Sequence, residues 1–412
     1  MSKRVLFLMS DTGGGHRAAA EAISEALHRK YADDVQIELV DVFKSYSPFP
    51  WNYMPEFYPW LINHSKSSWG MGYKLSNTQR RAKVLSRGMY VTVEGRIKRM
   101  LREHPADVVV SVHSLLTPLA IQALNARETR PPFVVVITDL VSTHMFAYTP
   151  LAERTLVPTQ PAFERGIEAG LTPNQMRITG LPVHPRFTEA LPEKIEARHT
   201  LGWNSKLPAL LLVGGGDGMG PLYKTARALN ARHLHCQIAI IAGRNKALKA
   251  KLESSNWNQP THIYGFVNDM PRLMAAADVL VSKAGPSTIC EACIAGLPMI
   301  LYDAIPGQET GNVEYVLDNH AGVFAPSPRE VADAAQSWLA EGAEGLRRRS
   351  EAARRLGRPN AVYEIAEEVW QYAHQPSVPT NRRTLFQEVA ARSALLAQLE
   401  QTVGSGKYIR KS

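Results

Sequence analysis

A strand followed by a glycine turn and a helix opens each half of the chain, and this unit restricts the folds open to it. The first copy is VLFLMSDTGGGHRAAAEAI at residues 5–23, and the second begins with PALLLVGGGDGMG at residues 208–220. Short apolar runs then alternate with helix-forming segments, which is typical of parallel sheets covered by helices. The chain has 412 residues, enough for two such domains with full cores. The sequence therefore predicts an α/β protein with two doubly wound, Rossmann-like domains that face one another across a cleft.

The predicted domain boundaries follow from breaks in this alternation. GLPVHP at residues 180–185 has the two prolines of a stiff linker. The first domain is therefore assigned to residues 1–182 and the second to residues 183–357. Residues 358–374 are predicted to form a helix that returns to the first domain. Residues 375–412 contain one amphipathic stretch and a basic end, and they receive no assignment.

Composition and charge limit the classes of partner. Hydrophobic residues make up 45% of the chain and charged residues 21%, which indicates a globular protein. No apolar run reaches the ~20 residues needed to cross a bilayer, and the N-terminal sequence does not read as a signal peptide. The three cysteines form neither a zinc pattern nor a disulfide framework, so a reducing cytoplasm is expected. The net charge of +9 favours anionic partners, but no nucleic-acid recognition motif is present, so nucleic acid is not expected.

The stretch from Ser282 to Asn312 has the order of parts expected of an anion site. An apolar run at residues 277–282 predicts a buried strand, and Gly285 follows it in a sharp turn. Ser287 and Thr288 are predicted to cap the next helix. Bare backbone N–H groups and the positive end of that helix would then point at an anion.

Three polar residues of the same stretch extend this interpretation from an anion to a nucleotide. Glu291, one turn into the helix, can accept hydrogen bonds from a ribose diol. Gln308 and Glu309 lie after the next strand, at the edge where an open α/β sheet binds its ligand. The pattern predicts a site for a nucleoside diphosphate joined to a polar group such as a sugar. An ordinary βαβ unit with a capped helix explains it equally well.

The segment at residues 43–73 differs from the rest of the chain. It holds ten of the 32 aromatic residues and four prolines, which prevent a single long helix. One interpretation is a buried irregular excursion. The other is an apolar lid that takes a hydrophobic substrate or contacts a membrane interface, where Trp and Tyr are favoured. Eight basic residues at positions 80–102 can face lipid phosphates or simply form a solvated helix face.

Six motifs together resemble one family, the monogalactosyldiacylglycerol synthases. They are SDTGGGHRAAAEAI, GLPVHPRF, LLLVGGGDGMGP, AGRNKAL, SKAGPSTICEA and PGQETGNVEYV. Their order and spacing match that family over residues 3–373. Processive diacylglycerol glucosyltransferases and the peptidoglycan N-acetylglucosaminyltransferase are looser relatives. The resemblance implies a GT-B fold, a UDP-sugar held mainly by the second domain, and a diacylglycerol acceptor at a membrane face of the first domain.

The resemblance also implies the reaction and its catalytic residues. Galactose would pass from UDP-galactose to 1,2-diacylglycerol with inversion, and UDP-glucose is the alternative donor because the two sugars differ only at the C4 hydroxyl. Inversion needs a general base, and His16, which matches the family histidine of GGGH, is chosen. Asp139 would orient His16, raise its basicity, or act as the base itself. A nucleotide-binding protein without turnover is a competing class, but it needs no base and so does not explain His16 and Asp139 together with Glu291.

The remaining assignments rest on the same resemblance. No cofactor or catalytic metal is expected, because the chain lacks a DxD pair and backbone N–H groups can neutralise the diphosphate. The donor-binding residues are Gly14, Gly15, Gly214, Gly215, Gly216, Gly218, Arg244, Phe266, Val267, Gly285, Ser287, Thr288, Glu291, Gln308, Glu309 and Asn312. The acceptor or lipid residues are Pro50, Trp51, Phe146 and Tyr148. The protein is expected to be a peripheral one that binds anionic lipids at the cytoplasmic face of a bacterial membrane.

Overall fold

Two parallel six-stranded sheets form the two halves of the protein. The structure is a computed structural model that describes residues 2–12, 14–189, 191–216, 218 and 220–380. The strands of the first half are β1 (Lys3–Met9), β2 (Val35–Asp41), β3 (Val108–Ser111), β4 (Thr129–Arg130), β5 (Phe133–Val136), β6 (Arg154–Val157) and β7 (Met176–Ile178). The later strands are β8 (Ala209–Val213), β9 (Gln237–Ile241), β10 (Thr261–Tyr264), β11 (Val279–Lys283), β12 (Met299–Asp303), β13 (Gly322–Phe324) and β14 (Val378–Pro379).

The two sheets have similar but not identical topologies: numbered within each sheet, the strand order is 2-1-3-4-5-6 in the first and 3-2-1-4-5-6 in the second. The first has the order β2–β1–β3–β5–β6–β7 and the second the order β10–β9–β8–β11–β12–β13. Every strand pair in both sheets is parallel. Strands such as β3 and β8 are buried at every residue, because helices cover both faces. This confirms the predicted fold class of two doubly wound domains.

Helices cover the sheets and form the connections between strands. Those of the first half are α1 (Gly15–Tyr31), α2 (Val42–Tyr46), α3 (Met54–His64), α4 (Lys66–Ser76), α5 (Gln79–Glu103), α6 (Leu116–Leu124) and α7 (Gln160–Glu168). The others are α8 (Arg186–Glu189), α9 (Lys194–Leu201), α10 (Leu222–Ala231), α11 (Lys246–Glu253), α12 (Met270–Ala276), α13 (Pro286–Ala295), α14 (Thr310–Asp318), α15 (Pro328–Ala340), α16 (Gly342–Leu356) and α17 (Ala361–Ala373). Several of the shortest strands, including β7 and β13, were not predicted, because two or three residues give too short a period to recognise.

The last helix of the described residues, α17, packs against the first sheet. Its apolar face, with Ile365 and Val369, joins the core cluster that contains Phe7 of β1. Glu368 of α17 is almost fully buried and forms an ion pair with Arg154 at 2.8 Å. The chain therefore crosses between the two halves twice. The unassigned segment that was expected at residues 375–412 lies, from residue 381 onward, outside the described residues.

The aromatic segment folds as three short helices, as its prolines predict. Pro48 and Pro50 precede a 3₁₀ turn at Trp51–Tyr53, and α3 and α4 follow. Pro55 lies in the first turn of α3. A backbone N–H at that position would have no intrahelical acceptor, so proline is tolerated there. The basic residues that follow lie on α5, which is a single helix of 25 residues.

Candidate active site

The sheets meet where the strand order of each sheet reverses. In the first sheet this point lies between β1 and β3, and in the second between β8 and β11. Ligands of open α/β sheets bind at such switch points. A Cβ atom built on Gly15, after β1, would lie 4.0 Å from Ser287 Oγ, after β11. The Gly311 N–H of α14 also donates to Ser142 Oγ over 3.0 Å. The two carboxyl edges therefore share one cleft.

His16 lies in the first turn of α1, and its imidazole is held in one tautomer. Its Nδ1 atom is 2.9 Å from the Val112 carbonyl oxygen and 2.9 Å from Thr138 Oγ1. Because a carbonyl oxygen can only accept, Nδ1 carries the proton and Nε2 keeps a free lone pair. Burial lowers the pKa of His16 to about 4, so the ring is neutral at pH 7. A neutral imidazole with an unprotonated Nε2 suits a general base.

Asp139 does not orient His16, and this part of the prediction is wrong. The hydrogen bonds of His16 in the described structure go to Val112 and Thr138 instead. Thr138 and Asp139 follow β5, and the chain bends at Asp139, so the two side chains contact different domains. Asp139 faces the second domain, where its Oδ1 atom lies 3.5 Å from Gln308 Nε2. Burial raises the pKa of Asp139 to about 6, which leaves most of the carboxyl charged at pH 7.

His113 is a functional candidate that the sequence analysis did not identify. Its ring centroid lies 4.2 Å from that of His16. The Leu115 N–H donates to His113 Nδ1 over 3.3 Å, so the proton is on Nε2, which donates to Thr12 Oγ1 over 2.8 Å. Burial holds the pKa of His113 well below its usual range, so its ring is neutral at pH 7. His113 therefore packs against His16 as an uncharged ring. The available signal was its place at the end of the run DVVVSVH, at the same sheet edge as His16.

The start of α13 differs from the predicted cap. The helix begins at Pro286, and Ser287 and Thr288 lie inside its first turn, because proline is preorganised for the first helical position. The Ile289 N–H donates to the Gly285 carbonyl over 3.0 Å. The N–H groups of Ser287 and Thr288 precede this first intrahelical bond. They point out of the helix end as donors for an anion.

The glycine turn after β8 packs against the turn after β9. A Cβ atom on Gly218 would lie 2.2 Å from the Ala242 carbonyl oxygen, so only glycine fits there. The Gly218 N–H donates to the Gly215 carbonyl over 3.2 Å. Gly218 therefore shapes the turn, and its N–H is not available for the phosphate contact that was predicted. Gly214 is buried, Gly215 is half-buried and Gly216 is exposed, so the last two remain as candidates for that contact.

Arg244 and Phe266 lie together beside this turn. The Arg244 N–H donates to the Gly216 carbonyl over 2.8 Å, and the guanidinium carbon is 5.4 Å from the centroid of the Phe266 ring. Phe266 is exposed, and Val267 beside it is half-buried. The pKa of Asp11 in the first domain lies below its usual range, mainly through its hydrogen bond with Arg17 and to a lesser extent through Arg244.

Lys283 is a second candidate that the sequence analysis missed. Its Nζ atom is 2.8 Å from Glu309 Oε1. A Cβ atom on Gly285 would lie 3.4 Å from Nζ, and one on Gly215 would lie 3.9 Å from Cε. The ammonium group therefore lies between both turns predicted to bind phosphate. Glu309 is buried, and its other oxygen accepts the Ile305 N–H over 2.9 Å, so both of its oxygens have partners inside the second domain.

Glu291 and Asn312 complete the predicted donor residues. Glu291 is half-buried on α13, and burial raises its pKa to about 8. Asn312 is fully buried, and its Nδ2 donates to the Ala284 carbonyl over 2.9 Å. Asn312 therefore stabilises the turn before α13 through a buried hydrogen bond. That position differs from the predicted contact with a sugar.

Two of the predicted lipid residues are core residues. The Tyr148 ring is buried in the first domain, and its hydroxyl donates to the Ala162 carbonyl over 2.6 Å. The Phe146 ring is also buried and stacks on His144 with centroids 4.4 Å apart. The segment that carries both rings folds inward in a 3₁₀ turn. This contradicts an acceptor-facing role for Phe146 and Tyr148.

Of the other two lipid residues, Pro50 is exposed and Trp51 is half-buried against the core of the first domain. The aromatic side chains that do face solvent lie around them. These are Phe49, Tyr53, Phe57 and Trp60.

This architecture is that of the GT-B glycosyltransferases, and comparison with solved structures agrees. The MurG structure from Acinetobacter baumannii superimposes with a TM-score of 0.58 over 90% of this chain and 99% of that one, at 15% identity. The glycosyltransferase SnogD from Streptomyces nogalater gives a TM-score of 0.55 over 90% and 99% of the two chains, at 17% identity. At these identities the likeness shows the fold alone.

Sequence comparison identifies the family. The profile described as "Monogalactosyldiacylglycerol (MGDG) synthase" matches residues 16–183, and the "Glycosyltransferase family 28 C-terminal domain" matches residues 209–325. A probable chloroplastic monogalactosyldiacylglycerol synthase of Glycine max is 40% identical over 386 residues, 91% of this chain and 72% of that protein. Monogalactosyldiacylglycerol synthase 1 of Arabidopsis thaliana is 38% identical over 378 residues, 89% of this chain and 70% of that protein. The chain belongs to the monogalactosyldiacylglycerol synthase family and is a glycosyltransferase.

Two findings bear on location. These relatives are plant proteins described as chloroplastic, so they do not support the bacterial origin that was expected. Among the described residues, every helix is too short or too polar to cross a bilayer.

Proposed function

We propose that the protein transfers galactose from UDP-galactose to 1,2-diacylglycerol, with inversion at the anomeric carbon. The observation that carries this proposal is the geometry of His16. Its Nδ1–H is held by Val112 and Thr138, and its unprotonated Nε2 lies in the cleft of this protein, which belongs to the monogalactosyldiacylglycerol synthase family. The names of the relatives support the acceptor and the product. The donor sugar is our inference from those names.

In the proposed reaction, His16 Nε2 accepts the proton of the acceptor hydroxyl. The hydroxyl oxygen attacks the anomeric carbon as the bond from that carbon to the diphosphate oxygen breaks. UDP leaves with the bonding electron pair, and the new glycosidic bond forms on the opposite face. The imidazolium that results keeps its hydrogen bond from Nδ1 to the Val112 carbonyl, which stabilises the added charge.

The donor lies, in this proposal, against the turns after β8 and β11. The N–H groups of Ser287 and Thr288 and the ammonium group of Lys283 offset the diphosphate charge, with Arg244 at the edge of the site. We propose that no metal ion is needed for this step. Glu291 accepts from the ribose diol, and Phe266 and Val267 flank the uracil. Gln308 faces the sugar.

A patch on the first domain supports attachment to a membrane surface. Of the 13 large hydrophobic residues that are exposed in the described structure, nine lie between Phe49 and Val91. They are Phe49, Tyr53, Phe57, Trp60, Met71, Leu75, Val84, Leu85 and Val91, and together we call them the apolar patch. Arg80, Arg81, Lys83 and Arg87 are exposed beside them on α5. An exposed apolar patch rimmed by cations suits a membrane with anionic lipid. We propose that the protein is peripheral and takes diacylglycerol from that surface.

The product assay tests the reaction. The protein is incubated with diacylglycerol in mixed vesicles and with either UDP-galactose or UDP-glucose, and the glycolipid is identified by mass spectrometry and by its anomeric configuration. We expect a β-galactolipid from UDP-galactose. A glucolipid formed faster than the galactolipid would replace the donor assignment, and an α-linked product would exclude the inverting route.

Vesicle flotation tests the surface. We expect the double variant Phe57→Ser, Trp60→Ser to bind vesicles containing anionic lipid several-fold more weakly. Phe324→Ser is the matched control, because Phe324 is an exposed aromatic residue of the second domain, outside the apolar patch. Equal binding by all three proteins would reject this membrane surface.

A further inference from the structure

Helices α3 and α4 of the first domain hold the loop between β12 and α14 of the second. Lys66 of α4 forms an ion pair with Asp303 at the end of β12. A Cβ atom on Gly70 would lie 2.7 Å from Pro306 Cβ, so the α4 backbone lies directly on the loop. The sugar-facing loop, residues 303–309, is therefore shaped by the aromatic segment as well as by its own domain.

Further contacts extend the same interface. A Cβ atom on Gly307 would lie 3.0 Å from the Tyr73 ring. The Tyr73 hydroxyl donates to the Ser142 carbonyl oxygen, and Ser142 Oγ in turn accepts the Gly311 N–H. Three separate segments are thus fixed together around the loop: α3–α4, the residues after β5, and the start of α14.

Tyr58 of α3 makes the contact that matters for the site. Its hydroxyl donates to Gln308 Oε1 over 3.1 Å. Burial holds the pKa of Tyr58 well above its usual range, so the phenol stays protonated and remains a donor. With Oε1 occupied in this way, Gln308 Nε2 is directed toward Asp139 Oδ1, 3.5 Å away. A carboxylate can only accept, whereas a phenol can donate or accept, so Asp139 keeps Nε2 on its side of the Gln308 amide and Tyr58 holds the oxygen at the other end.

The same helix also presents aromatic side chains to solvent, while its Ile62 side chain is buried. Phe57 and Trp60 belong to the apolar patch, and their rings stack with centroids 5.7 Å apart. Tyr58, between them in sequence, is half-buried and faces the loop. Helix α3 therefore carries both a solvent-facing aromatic surface and a hydrogen bond to the donor loop.

We infer that Tyr58 is a positioning residue for the donor sugar, acting through Gln308, and that α3–α4 completes the sugar subsite. This inference rests on the proposed function for the identity of the sugar but not for the geometry. Because Tyr58 contacts the loop at Gln308 and not the nucleotide turns, its loss should affect binding of the hexose and leave binding of the nucleotide intact.

The experiment compares Tyr58→Phe, which removes only the hydroxyl, with Tyr53→Phe, which removes an exposed hydroxyl from the same segment. Calorimetry is used with three probes: UDP, UDP-galactose and UDP-glucose. One lost hydrogen bond should weaken binding of the preferred UDP-hexose by about 3- to 10-fold. We expect UDP affinity to be unchanged, and all affinities of Tyr53→Phe to match the native protein.

Lys66→Gln provides an independent variant with the same expected selectivity and a smaller effect, because this ion pair is partly exposed. Unchanged UDP-hexose affinity in Tyr58→Phe overturns the inference, and so does an equal loss for UDP and UDP-hexose, which would indicate a general structural role. If the native protein makes no glycolipid but Tyr58→Phe still loses UDP-hexose selectively, the proposed reaction fails and the positioning role stands.

Discussion

The glycine turns after β1 and β8 share one sequence pattern but do different work. The turn after β1 leads directly to His16, whose ring is held by Val112 and Thr138, just after β3 and β5 of the same sheet. The turn after β8 packs against the turn after β9 and presents backbone, with Lys283 reaching it from β11. A strand, a glycine turn and a helix therefore specify a place at the sheet edge. The residues after neighbouring strands decide whether the site contributes a catalytic side chain or backbone groups that can bind a ligand.

Replacing His16 should give the largest effect and should show that the turn after β1 serves catalysis and not nucleotide binding. In His16→Asn the amide can still donate to the Val112 carbonyl, but no base remains. We expect turnover to fall by about 10²-fold or more, as for loss of a general base, with UDP affinity unchanged. Steady-state kinetics and calorimetry measure the two quantities. Turnover within a few-fold of native would remove His16 from the mechanism.

Removing the Lys283 ammonium group, beside the turn after β8, should instead weaken the binding of UDP. We expect Lys283→Met to lower UDP affinity by roughly 10- to 100-fold, the size of a hydrogen bond to a charged group, and to leave the weak affinity for uridine unchanged. Because the single change leaves Glu309 buried without its cation, Lys283→Met, Glu309→Gln is the control for stability. If uridine binding weakens as much as UDP binding in the double variant, Lys283 does not act on the diphosphate.

Glu291 allows a test by pH. Its pKa in the free protein is about 8, so at pH 7 most of the carboxyl is protonated. A carboxylate that accepts from both ribose hydroxyls binds UDP best when deprotonated, so UDP affinity should rise as pH increases toward 8, and binding at pH 7 should release protons. Calorimetry in buffers of different ionisation enthalpy detects that release. Glu291→Ala should bind UDP about 10-fold more weakly and without proton release. A buffer-independent enthalpy for the native protein would reject the ribose assignment.

A stability measurement compares the turns themselves. Gly14 and Gly218 both have positive φ, at 79° and 61°, but a Cβ atom on Gly14 would meet nothing within 4 Å, whereas one on Gly218 would meet the Ala242 carbonyl. Gly14→Ala should lower the free energy of unfolding by about 1–2 kcal/mol from the backbone conformation alone. Gly218→Ala should cost about 1–3 kcal/mol more from overpacking. Denaturant titration measures both. Equal losses would mean that the two turns are not packed differently.

Much of the site could be predicted because its parts lie close together in sequence. The motifs after β1, β8 and β11 place glycines, a helix start and a histidine at one edge of a parallel sheet, and strand periodicity is enough to find that edge. His113 and Lys283 were missed for a different reason. Each is the last residue of an apolar run or lies beside it, and a single polar residue there does not show which way it points.

The wrong assignments also have a physical cause. Phe146 and Tyr148 were assigned to the lipid through the family resemblance. Aromatic residues suit both cores and interfaces, and the sequence does not distinguish the two. Asp139 was paired with His16 through the family resemblance, but Thr138, one residue earlier, makes the hydrogen bond to His16. The chain bends at Asp139, after β5, so strand periodicity does not predict the direction of its side chain.

The sequence by itself determined two α/β halves, the position of the cleft, the turns that border it and the family to which the chain belongs, because each depends on local periodicity and short motifs. Tertiary structure alone decided the tautomer of His16, the partner of Lys283, and the packing of α3 and α4 on the loop at residues 303–309. These features join residues up to 250 positions apart, as in the contact of Tyr58 with Gln308. The packing of α3 and α4 on this loop depends on how the two domains meet. The other two features depend on segments of one domain that are apart in sequence, and no local pattern encodes either kind of contact.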